Sequence, residues 1–175
     1  LVRVNSIKQQ YRLVQAPSPR FPFHVVRPDG LPDFCLSAFA SHLSSELSMQ
    51  SIPVYMRELL ALANWTITDP VVRHHTWRLF GPPDEVRNII RQYITTEAAC
   101  KITTRPDTLG QQTRYIRLSS DTRINPRVFL SALKRLFSFL IERRLYDYAN
   151  PLVHEEFEEA RKSFRSTESQ AFRSV

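Results

Sequence analysis

Apolar residues recur at Phe129, Leu133, Leu136 and Leu140, the i, i+4, i+7, i+11 spacing of a helical stripe turned toward a core. Asn125-Pro126 stands just before them. An asparagine at the N-cap accepts from the first free amides, and a proline at the first helical position gives up an N–H that has no partner there anyway. Together these predict a helix over 126–144. Arg127, Ser131, Lys134 and Ser138 repeat at similar spacing on another face. Asn150-Pro151 repeats the start signal and predicts a last helix from Pro151 to about Ser166. Its acidic start (Glu155, Glu156, Glu158, Glu159) and basic end (Arg161, Lys162, Arg165) match the helix dipole, and Glu158 and Lys162 form an i, i+4 pair.

Upstream, the apolar face Phe34, Leu36, Phe39, Ala40, Leu43 behind a capping Asp33 predicts a helix over 33–46. Ser51 to Asn64 is the second, with Val54, Tyr55, Leu59 and Leu62 facing inward, and 65–82 is expected to be irregular. The third spans about 83–98: Asp84 and Glu85 sit in its first turn, Val86, Ile89, Ile90, Tyr93 and Ile94 face inward, and Arg87 and Arg91 lie one turn apart outside. Short strands are expected at Ile7–Val14, Phe23–Val26, Lys101–Thr104 and Thr113–Leu118. The fold class is mainly α: a compact four- to five-helix bundle with a small β-hairpin and an N-terminal arm. The expected division is an arm or small β element over 1–30, a helical domain over 31–153 and a connecting helix over 154–175.

The charge changes this picture. The chain of 175 residues carries a net charge of +7. Residues 70–149 hold fourteen Lys/Arg against seven Asp/Glu, so the whole excess falls in the middle segment. A regional imbalance of this kind favours a nucleic-acid-binding face. No apolar run reaches the ~18 residues of a membrane span. Leu1 is not a start methionine, which suggests a fragment or processed chain. Cys35 and Cys100 lie on helix-like apolar faces and read as buried thiols without disulfide or metal spacing.

Candidate chemistry is sparse. No G-x-G-x-x-G, P-loop, H-E-x-x-H, G-x-S-x-G or C-x-x-C motif occurs. His74-His75 has no third ligand at useful spacing, so neither a metal nor another cofactor is expected. Tyr55 and Tyr93 stand at core positions and Tyr146 and Tyr148 in turns; none has the cationic cluster that would make it a nucleophile.

Two stretches resemble a known family. Thr122 to Val153, T-R-I-N-P-R-V-F-L-S-A-L-K-R-L-F-S-F-L-I-E-R-R-L-Y-D-Y-A-N-P-L-V, resembles the run that closes the small helical core-binding (SAM-like) domain of tyrosine recombinases of the phage-integrase type. Phe34 to Trp65 resembles that domain's other helical signature, with Ser48, Ser51, Tyr55, Leu59 and Trp65 at the pattern positions and Ser51 where the family more often has Thr. The resemblance covers roughly residues 31–153 and rests on helix starts and core positions, with no invariant chemical residue. His75-Thr76-Trp77-Arg78 is an H-x-x-R, a motif the family carries in its catalytic domain, after a catalytic Arg and before a nucleophilic Tyr. Here it precedes the core-binding helices, so it reads as a basic loop touching phosphate.

The resemblance implies a DNA-binding, non-catalytic N-terminal part of a recombinase, holding one recombination half-site while a following catalytic domain cuts. The implied partner is double-stranded DNA, with self-association of the full-length protein on it, no membrane and no small-molecule substrate. The implied location is cytoplasmic, on the nucleoid. Two groove elements follow: the start of the second helix (Ser48, Gln50, Ser51) and the outer face of the 126–144 helix (Arg127, Ser131, Lys134). Arg73, Arg78, Arg87, Arg91, Arg114, Arg117, Arg123 and Arg135 are the further candidates for DNA contact. The alternatives are a helical protein-interaction module whose basic face takes an acidic partner, and a stand-alone DNA-binding regulator.

Overall fold

A computed structural model of the chain describes residues 10–18, 21–68, 81–97, 100–106, 109–117, 124–154 and 157. Among these the protein is mainly helical, with four helices and two two-stranded antiparallel hairpins. Strand β1 (Arg12–Gln15) pairs with β2 (Phe23–Val26), Arg12 opposite Val26 and Gln15 opposite Phe23. β1 starts at Arg12 rather than at the expected Ile7; residues 7–9 lie outside the described residues. In β2 the period-2 alternation buries Phe23 and Val25 and exposes His24.

This hairpin is stitched to the helices. The Val25 amide donates to Ser37 Oγ at 2.9 Å. Asn64 imitates a neighbouring strand: its Oδ1 accepts from the Tyr11 amide at 2.7 Å and its Nδ2 donates to the Tyr11 carbonyl at 3.2 Å. The backbone N–H and C=O of Tyr11, just before β1, are thereby satisfied by a helix side chain.

Helix α1 (Phe34–Leu43) is capped by Asp33, whose Oδ1 accepts from the Leu36 amide at 2.9 Å. It stops three residues short of the expected 46. The Ser44 and Ser45 hydroxyls donate to the Ser41 and His42 carbonyls at 2.6 and 2.7 Å, the local bonding by which serine competes with helix continuation. Phe34 does not join the apolar face and is 82 % exposed. The buried stripe is Leu36, Phe39, Ala40, Leu43, and Phe34 sits two positions, about 200° of helical turn, from Leu36.

Helix α2 (Ser51–Thr68) runs four residues past the expected Asn64. Trp65 and Thr66, expected in irregular structure, are helical and buried, and the Thr66 hydroxyl returns to the Ala63 carbonyl at 2.7 Å. The buried stripe runs Ile52, Met56, Leu59, Leu60, Ala63, which leaves Val54 on the exposed side rather than inward.

Helix α3 (Pro83–Thr96) buries the five residues expected of it. It leads into a hairpin of β3 (Lys101–Pro106) and β4 (Gln112–Arg117), Lys101 opposite Arg117 and Pro106 opposite Gln112. These strands extend further toward the turn than the expected 101–104 and 113–118. Gly110 takes the positive φ (+77°) there that a side chain would resist.

Helix α4 (Pro126–Glu142) starts where expected, with Asn125 Oδ1 accepting from the Val128 amide at 3.2 Å. It ends two residues before 144 in a paired C-terminal closure: the Leu145 amide reaches the Leu140 carbonyl (2.8 Å) and the Arg144 amide the Ile141 carbonyl (3.0 Å), with Arg144 left-handed at φ 56°.

Phe129, Leu130, Leu133, Leu136, Phe137 and Leu140 of α4 are buried in the core. Aromatic contacts tie the helices together. Tyr93 of α3 lies between Trp65 of α2 (5.4 Å) and Phe129 of α4 (5.2 Å), and Phe39 of α1 meets Phe139 of α4 at 5.5 Å. Tyr146, expected in a turn, is buried against Phe137 (5.0 Å) and donates to the Gly81 carbonyl at 2.9 Å. Asn150 opens a turn at Pro151-Leu152, its Oδ1 accepting from the Leu152 amide at 3.0 Å. The helix expected from Pro151 does not start there: Pro151 and Leu152 form the turn and Val153 and His154 are irregular, Phe157 is helical, and the other residues of the expected helix lie outside the described residues.

Candidate nucleic-acid interface

The end of α1, the first turns of α2 and the outer face of α4 enclose a cleft of about 560 Å³. Its α4 wall follows from the helix repeat: with Phe129, Leu133, Leu136 and Leu140 committed to the core, Arg127, Ser131, Lys134 and Ser138 come out together on the neighbouring face. Arg135 and Glu142 line the same wall. Opposite stand His42, Glu46 and Tyr55.

Four of the candidate contact residues, Arg127, Ser131, Lys134 and Arg135, are therefore in one place. The others are not gathered there. Ser51 is half-buried at the start of α2, its hydroxyl 2.9 Å from Ser48 Oγ; Gln50 beside it is exposed, and neither lines the cleft. Arg87 lies on α3 with its guanidinium on Asp84 and its side chain only 16 % exposed, so it is held along its own helix rather than projecting. Arg91 Nη1 donates to Asn88 Oδ1 at 2.6 Å, one turn back. Arg114 and Arg117 lie on β4 opposite Thr104 and Lys101; their side chains, and Arg73, Arg78 and Arg123 entirely, lie outside the described residues.

Among the lining residues not expected as contacts are the titratable His42, Glu46 and Glu142. Tyr55, expected to face inward, is half-buried in the cleft wall. Glu46 Oε2 takes the Arg135 guanidinium, and Glu46 Oε1 lies 3.5 Å from His42 Nε2. The Arg135 guanidinium also lies over the Tyr55 ring, 5.9 Å from its centroid. The His42 ring packs on Phe139 at 5.1 Å, and the Arg143 guanidinium covers Phe139 at 5.7 Å. The one advance signal for this cluster was the i, i+4 spacing of His42 and Glu46. Arg135 lies 89 residues from Glu46, a pairing only the folded chain makes. Apart from His42, the cleft brings Arg127, Lys134 and Arg135 together with the carboxylates of Glu46 and Glu142.

Other groups are poor candidates for chemistry. Burial pushes the Tyr146 hydroxyl above the usual phenol range, Tyr148 adds to this and Arg87 partly offsets it. A buried phenol that donates to a carbonyl makes a weak nucleophile. Burial also raises Tyr93, with Glu58 and Glu97 adding to it. Glu58 is 6 % exposed, and burial raises its carboxyl against the lowering pull of Arg57 at 3.9 Å. Burial raises the Cys35 thiol; Cys100 is buried as expected, while Cys35 is only half-buried. Among the described residues no group of His, Cys, Asp and Glu could hold a metal, and no helix is long and apolar enough to cross a membrane.

Comparison with protein-family models, with curated proteins and with solved structures gives no match for this chain.

Proposed function

We propose that this chain binds double-stranded DNA through the cleft and the outer face of α4, as the non-catalytic N-terminal part of a tyrosine recombinase. In this reading the helices are a SAM-like core-binding bundle that holds a recombination half-site, and the protein works in the cytoplasm on the nucleoid. One observation carries the reading. Arg127, Ser131 and Lys134 recur on a single face of α4 and open into one cleft, the arrangement that lets cations reach phosphates and a short hydroxyl reach a base edge. The excess of basic residues in 70–149 and the sequence resemblance point the same way.

The test is fluorescence anisotropy with labelled duplex across a salt series. If about five phosphates are neutralised, log K falls against log salt with a slope of about −4 to −5. A flat response, or no binding at low salt, removes the proposal. Displacement of the duplex by an acidic peptide at equal charge concentration would favour the protein-interaction reading instead. Incubated with supercoiled plasmid, this chain leaves it uncut; a covalent adduct on a denaturing gel would overturn the non-catalytic assignment.

A further inference from the structure

We propose that the Glu46 carboxylate is an internal stand-in for a DNA backbone phosphate, occupying a phosphate subsite built by Arg135, His42 and Tyr55. The inference rests on the DNA-binding reading of the cleft and names one of its contacts.

Glu46 presents its two oxygens to two different partners, Oε2 to the Arg135 guanidinium and Oε1 to His42 Nε2 at 3.5 Å. A phosphodiester has the same feature: two non-bridging oxygens sharing a negative charge, able to take a guanidinium on one side and a second donor on the other. The subsite walls are held independently of Glu46. Arg135 rests over the Tyr55 ring, and His42 rests on Phe139. Glu46 itself lies in the turn beyond α1, is 41 % exposed, and can swing away. A solvent-exposed ion pair is worth at most about 1 kcal/mol, so an entering phosphate meets little resistance.

The cleft thus holds Arg135 aligned and partly neutralised until a stronger anion arrives. Aligning the cation beforehand lowers the ordering cost of binding, while the carboxylate suppresses capture of weak monovalent anions.

A unit charge about 4 Å from a phosphate in water is worth roughly fivefold in affinity, so removing the Glu46 charge should show in binding by about that much.

The experiment measures duplex binding by anisotropy at pH 7.5 across a salt series for the parent chain, Glu46→Gln and Glu46→Gln/Arg135→Gln, with a thermal melt for each. Glu46→Gln is expected to bind about fivefold more tightly at pH 7.5, with a salt slope steeper by about one. Adding Arg135→Gln returns both toward or below the parent values. Glu46 lies at the surface, so a melt close to the parent is expected; if it is lowered, Glu46→Ser takes its place. If the parent binds duplex but Glu46→Gln binds equally or more weakly, the subsite is refuted while the DNA reading stands. If the parent does not bind duplex at low salt, both fall.

Discussion

Asn150 Nδ2 donates to the Lys134 carbonyl at 3.0 Å and lies 3.1 Å from Ser138 Oγ. The side chain that caps the turn after α4 thus reaches back onto the helix that lines the cleft, beside one of its cations. Its Oδ1 meanwhile accepts from the Leu152 amide. One half-buried amide fixes both the turn and its docking on α4.

Asn150→Ala removes these bonds together and is expected to destabilise the fold by about 1–3 kcal/mol, since the partners left behind lose both bond and solvation. Asn150→Asp keeps the acceptor for Leu152 and loses the donors to α4. Urea unfolding of the two variants separates the turn from the docking. Equal stability of Asn150→Ala and the parent would show that neither bond matters.

Arg127→Ala with Lys134→Ala is expected to weaken duplex binding and reduce the salt slope by about two, with the melting temperature little changed. Both residues stand off the buried stripe of α4. Parallel anisotropy and thermal melts check this; parent-like binding by the double variant would remove α4 from the interface.

Leu133→Ala is expected to do the reverse. Leu133 is fully buried, and truncation leaves a cavity costing about 2–5 kcal/mol. Binding per folded molecule should be unchanged, which titration at a temperature well below both melts will show.

Glu58 supplies a pH prediction. Burial raises its folded-state pKa above the unfolded value, so its protonated form contributes stability that is present at acid pH and lost as pH rises through the folded value. At pH 7 the charged carboxylate therefore opposes folding. Glu58→Gln is expected to be more stable than the parent at pH 7, the gap narrowing as pH falls toward the ordinary carboxylate range near ~4.3. Urea midpoints at pH 4, 5.5 and 7 test it; a gap that does not vary with pH would mean that the carboxyl's charge is not what matters there.

Local signals along the chain determined where the helices begin and which residues fill the core. Asp33 and Asn125 cap the helices they precede, Pro83 and Pro126 open theirs, and the 3.6-residue stripes of α3 and α4 are buried as their spacing predicts. The same repeat put Arg127, Ser131 and Lys134 on one outer face of α4. Helix ends were less legible. α1 stops where serine hydroxyls bond back to its last turn, and α2 continues because Trp65 finds a place against Tyr93, a contact 28 residues away in the chain. Tertiary structure alone decided the electrostatics of the cleft. A stripe of cations read along one helix says nothing of the carboxylates that other helices bring to it, and Coulomb interactions depend on distance in space rather than on separation in sequence. Hence Arg135 read as a cation for DNA, and the fold sets it between Glu46 and the Tyr55 ring.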